Sequence, residues 1–99
     1  METQVDLHML TTNEAIREYL ATLGEGYPYG FWKIWRQIKK VTSYESIRRN
    51  FWILKELGLI ESVRFEKSKG PFRKHIYRIV SGMEDDLRWL NPEDALWPP

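Results

Sequence analysis

The sequence predicts an α+β domain of three helices followed by a β-hairpin, and three observations carry that expectation. Apolar residues recur at spacings of three and four through three segments between Thr11 and Leu57. After Gly58 the period changes to two and stays there to Val80. The boundaries between segments fall at glycine, proline or clusters of Ser and Thr, residues that end or cap regular structure.

The first helix opens at Thr11-Thr12-Asn13-Glu14, where Thr11 and Glu14 have capping-box spacing. Ile16, Tyr19, Leu20 and Leu23 share one face, and Gly24 ends the helix. Gly24-Glu25-Gly26-Tyr27-Pro28 is a turn. The second helix is expected from about Tyr29 to Lys39 or Lys40, with Phe31, Ile34, Trp35 and Ile38 buried. Thr42 and Glu45 repeat the capping-box spacing, and Ser43 is a second cap candidate. The third helix then runs to Leu57, its core stripe being Ile47, Phe51 (or Asn50), Leu54 and Leu57. Tyr44, Arg48, Trp52 and Lys55 take another face, beside Glu45 and Arg49. Two helices joined by a short turn form a helix-turn-helix.

Leu59 to Lys67 reads as a strand with Val63 and Phe65 on one face, Ser68-Lys69-Gly70-Pro71 as a turn, and Phe72 to Val80 as the returning strand. Three helices and a two- or three-stranded basic hairpin make a winged helix-turn-helix arrangement, expected over residues 11–80. Residues 1–10 are a lead-in, with Val5, Leu7 and Met9 alternating. Residues 81–99 are an acidic tail holding Trp89 and Trp97, with Leu87, Trp89 and Leu90 on one turn. Two tryptophans favour a tail that folds back on the domain or packs on a second copy.

Ninety-nine residues is one domain's worth of chain. Five Trp, five Tyr and four Phe raise the area it can bury. There is no cysteine, which excludes disulfides and thiolate chemistry and fits a reducing cytoplasm. No apolar run approaches the roughly 20 residues of a membrane span. The N-terminus lacks the basic start and apolar run of a signal peptide, so a soluble, cytoplasmic protein is expected.

The net charge of +1 conceals a division. Lys33 to Arg78 holds thirteen basic and four acidic residues and carries +9, whereas residues 1–32 and 79–99 carry −4 each. A basic middle between acidic ends points to a polyanionic partner; the bland alternative is a solvated surface.

The stretch from Ser43 to Ile60, ending Leu54-Lys55-Glu56-Leu57-Gly58-Leu59-Ile60, resembles the recognition helix and first wing residues of winged-helix regulators. Tyr29-Gly30 and Tyr77-Arg78 resemble the PadR-like branch and small archaeal winged-helix proteins, including plasmid partition proteins that bind centromere DNA. The resemblance covers about residues 12–80. PadR-like proteins usually carry a longer helical dimerisation arm, whereas nineteen residues follow Val80 here.

In a helix-turn-helix the N-terminal part of the second helix faces the major groove. That selects Ser43, Tyr44, Ser46, Arg48 and Arg49, with Trp52 and Lys55 further along. Arginine can pair with guanine O6 and N7, and hydroxyls can hold phosphates. Arg48 and Arg49 lie about 100° apart and cannot point the same way. Trp52 is better read as packing against a wing, tail or second subunit. The wing offers Lys67, Lys69, Arg73 and Lys74 to phosphates or the minor groove, although lysines there also protect an edge strand. Lys33, Arg36 and Lys40 could contact the flanking backbone.

His8 and His75 lack metal-ligand spacing, Glu84-Asp85-Asp86 reads as a solvated acidic turn, and no phosphate loop or nucleophile motif is present. The expectation is therefore a non-enzymatic protein without cofactor or metal. It binds double-stranded DNA, as a homodimeric transcription regulator. The alternatives are a partition protein that spreads along DNA in a higher-order assembly, and a winged helix that binds protein.

Overall fold

Thr11 closes a full capping box. Its Oγ1 accepts the Glu14 amide at 3.2 Å, and the Glu14 carboxylate accepts the Thr11 amide at 3.3 Å. The helix that follows is the first element of a computed structural model that describes residues 10–39, 43–67 and 73–97, with Arg73 described in its backbone alone. In order come helices α1 (Thr12–Leu23), α2 (Pro28–Ile38) and α3 (Tyr44–Glu56), strands β1 (Ile60–Lys67) and β2 (Arg73–Ile79), a 3₁₀ turn (Leu87–Trp89) and the short helix α4 (Pro92–Leu96). The fold is α+β, three helices then a two-stranded antiparallel hairpin, an order compatible with the winged helix expected.

Ser43 is the cap of α3: its Oγ accepts the Ser46 amide at 3.2 Å. Of the two cap candidates in the sequence, Ser43 is the one seen capping the helix. Thr42 itself lies outside the described residues, as do Lys40, Lys69 and the alternation at residues 1–9. Gly58 ends α3 with φ of +76°, a conformation costly to a side chain, and its amide bonds the Lys55 carbonyl at 2.9 Å.

Ile16, Leu20, Phe31, Trp35, Ile47, Phe51, Leu54, Leu59, Ile60 and Tyr77 close one core, with Trp89 from the tail inside it. The helix faces differ from the expectation at Ile34 and Leu23, and α3 buries one residue outside its expected stripe. Ile34 is 50% exposed, because α2 turns Phe31 and Trp35 inward and leaves Ile34 on the flank. Ile53 is buried, outside the main cluster. Leu23, in the last turn of α1, is exposed as well.

The hairpin pairs Ile60 with Ile79 and Lys67 with Arg73, with a bulge between Ser62 and Arg64. The bulge breaks the alternation at Val63, so Ser62 and Phe65, not Val63 and Phe65, stand opposite Tyr77 and His75. His75 stacks on Phe65 and lies 4.2 Å from Tyr77. Its Nε2 pairs with the Ser62 hydroxyl at 2.6 Å and its Nδ1 with the Tyr77 hydroxyl at 2.8 Å. It is a half-buried link in an aromatic ladder. On the opposite face Arg64 donates to Glu25 at 3.0 Å, tying the hairpin to the α1–α2 turn.

The tail folds back. Trp89 is fully buried and its indole N–H donates to the Met83 carbonyl at 2.7 Å. Arg88 donates to the Leu57 carbonyl at 3.0 Å, satisfying an acceptor that the end of α3 leaves open. Leu87 and Leu90, expected beside Trp89, are exposed: a single 3₁₀ turn can aim one of the three inward.

Candidate nucleic-acid interface

The outer surface of α2 and the first turn of α3 meet in three aromatic rings that touch pairwise. Tyr29 and Trp32 lie 5.5 Å apart between centroids, Tyr29 and Tyr44 5.6 Å, Trp32 and Tyr44 5.7 Å. Each ring holds a cation on its face. The Lys33 ammonium is 5.2 Å from Tyr29, the Arg36 guanidinium 4.7 Å from Trp32, and that of Arg48 5.9 Å from Tyr44. The negative faces of the rings attract these charges and restrict where they can go. The result is three cations spaced along one surface, each steadied at its stem.

Helix geometry makes this pattern. In each pair the cation follows its ring by four residues, which places the two one above the other on a helix. The fourth such pair, Trp35 and Lys39, has its ring in the core and its ammonium 5.9 Å away. Burial holds the Tyr44 hydroxyl above its ordinary pKa, with Arg48 pulling the other way, so at neutral pH it is a protonated donor.

Four of the residues expected at a DNA surface from sequence therefore come together: Lys33, Arg36, Tyr44 and Arg48. Tyr29 and Trp32, which join them, were missed. The signal was present as aromatic residues four positions before Lys33 and Arg36, but both fall off the apolar stripe of Phe31, Ile34, Trp35 and Ile38, and periodicity passes over them. Ser43 and Ser46 sit at the start of α3 with their hydroxyls 3.0 Å apart. Arg48 also reaches Glu45 at 3.2 Å, an exposed pair within one turn of α3.

The other residues lie elsewhere. Arg49 and Trp52 face the tail: the Arg49 guanidinium is 3.6 Å from Glu93 and 5.3 Å from the Trp97 centroid, and Trp52 stacks on Trp97 at 6.1 Å. The packing of Trp52 against the tail is among the partners its sequence reading favoured. Lys55 is exposed on the last turn of α3. On the hairpin, Lys67 is exposed at the outermost described rung, opposite Arg73. Lys74 lies over the Tyr27 ring at 4.9 Å, against the α1–α2 turn.

Among the described residues, no helix is long and apolar enough to cross a membrane. No protein-family model matches the sequence, and no curated protein matches it.

Proposed function

We propose that this chain is a winged helix-turn-helix protein that binds double-stranded DNA, acting as a homodimeric transcription regulator. The observation that carries the reading is the triad of rings with its three cations. Lys33 and Arg36 on α2 suit the phosphates that flank a groove, while Arg48 and Tyr44 stand where the second helix of such a motif enters it. Ring-held cations lose less freedom on meeting a phosphate than solvated ones, and their charge supplies affinity by counterion release. One such helix reads few base pairs, so two copies on a two-fold site are the usual route to specificity. No catalytic step and no cofactor belong to this reading.

The test is a titration of purified protein into labelled genomic-fragment duplexes at two salt concentrations, with footprinting of any shifted band. Binding that weakens steeply with salt over one bounded footprint is the expected result. A footprint lengthening stepwise with protein concentration would instead indicate a partition protein. Failure to bind any duplex at low salt would overturn the DNA reading and favour a protein partner.

A further inference from the structure

The C-terminal segment lies against the helix that the DNA reading assigns to the groove. α4 packs on one flank of α3, and its first turn brings Glu93 within 3.6 Å of Arg49. Trp97 reaches further round the helix, stacking on Trp52 and lying over the Arg49 guanidinium. Arg49 and Trp52 are one turn apart on the exposed side of α3, so the tail covers solvent-facing residues and not the core-facing stripe.

We propose that the outer part of the tail, from Glu93 to Trp97, forms a displaceable cover on α3, which competes with duplex DNA for Arg49 and holds down DNA affinity. This rests on the DNA-binding reading given above. Two features of the tail carry it. The inner part is fixed: Trp89 and Pro92 are buried, and Arg88 is bonded to the end of α3. The outer part is weakly held. Trp52 and Trp97 are 48% and 50% exposed, and the Arg49–Glu93 pair is more than half open to solvent on both sides. Exposed pairs of this kind contribute little, so the outer part can lift while the inner part stays. The Trp97 amide donates to the Glu93 carbonyl at 2.8 Å, so ring and carboxylate segment move together.

Charge supplies the coupling. With the cover closed, Glu93 occupies a place on Arg49 that a phosphate would take, and Asp94 adds a second carboxylate. A duplex is repelled by both and attracted by the arginine, so it favours the open state. By linkage, opening the cover tightens DNA binding and DNA binding opens the cover.

The experiment uses the full chain and its W97A and E93Q variants against a mixed-sequence duplex at low salt. Both substituted side chains are exposed, so the core is preserved. Each variant is expected to bind roughly three- to tenfold tighter than the wild type. In the wild type, the exciton-coupled circular dichroism of the Trp52–Trp97 pair is expected to fade as duplex is added, with W97A as its blank. Wild-type binding that neither variant tightens, or a pair signal unmoved by saturating duplex, overturns the cover alone. If no form binds duplex, the DNA reading falls and the cover falls with it.

Discussion

Gly26 and Tyr77 exchange two backbone hydrogen bonds, the Gly26 amide to the Tyr77 carbonyl at 2.9 Å and the Tyr77 amide to the Gly26 carbonyl at 2.7 Å. The turn between α1 and α2 thus docks on β2 as a single-residue third strand. The glycine is required by closeness: a Cβ on Gly26 would overlap the Tyr19 ring. G26A is therefore expected to cost about 1–3 kcal/mol of stability in denaturant unfolding. The cost should shrink in a Y19A background, because the clash partner is gone. An equal cost in both backgrounds would place the fault in the backbone.

Trp89 is the largest contribution of the tail to the core, and its indole N–H has a buried partner. W89A should cost about 3–5 kcal/mol, a large part of what a domain of this size holds in reserve. Urea unfolding measures it directly. A loss below about 1 kcal/mol would mean that the tail does not pack as described.

Among the described residues, Ser43 caps α3 without the reciprocal carboxylate that Thr11 has. S43A is expected to lose about 1 kcal/mol. S43D, which keeps an acceptor and adds favourable charge at the helix start, should hold stability near the wild type.

Arg48 lies on the three-ring surface, over Tyr44 and beside Glu45, whereas Arg49 is engaged by Glu93 and Trp97 of the tail. On the DNA reading, R48A should weaken binding by about 1–3 kcal/mol and R49A by less. K33A and R36A should weaken binding evenly across sequences, each lowering the salt slope by about 1. Titrations at several salt concentrations separate the two behaviours. An unchanged affinity in the R48A/R49A double variant would remove α3 from the interface.

Acid should destabilise the fold in two stages. Burial, with Lys55 adding to it, holds the His75 imidazole below its ordinary 6.5. The unfolded chain then binds the proton more readily, so stability is full above about pH 6.5 and is lost as pH falls through the folded value. Glu25 beside Arg64 and Asp86 beside Arg88 are held below their ordinary 4.5 and 3.8. Their contribution is present above those values and declines as pH falls further. Thermal unfolding from pH 8 to pH 3 checks both stages, and H75Q should flatten the first. A protein that gained stability between pH 7 and pH 5 would contradict a neutral His75.

How much of this was legible in the sequence differs from element to element, for physical reasons. Helix starts and ends at Thr11, Gly24 and Gly58 were readable because capping and positive φ are local demands met by residues a few positions apart. The change of period after Gly58 located the hairpin, since alternation is set by the strand itself. The four-residue spacing of rings and cations was equally local, but it lies off the apolar stripes that periodicity follows.

Three features were decided by the tertiary structure. The bulge at Val63 exchanged Val63 for Ser62 beside Phe65, because register depends on what the partner strand offers. Ile34 is exposed although it falls on the apolar stripe of α2, and Ile53 is buried outside the expected stripe of α3, since periodicity marks an apolar face without saying which neighbour arrives to cover it. The tail is the largest case. Its sequence called for burial of two tryptophans, and only packing over long separations in the chain determined that Trp89 would enter the core while Trp97 came to lie half-exposed on Trp52.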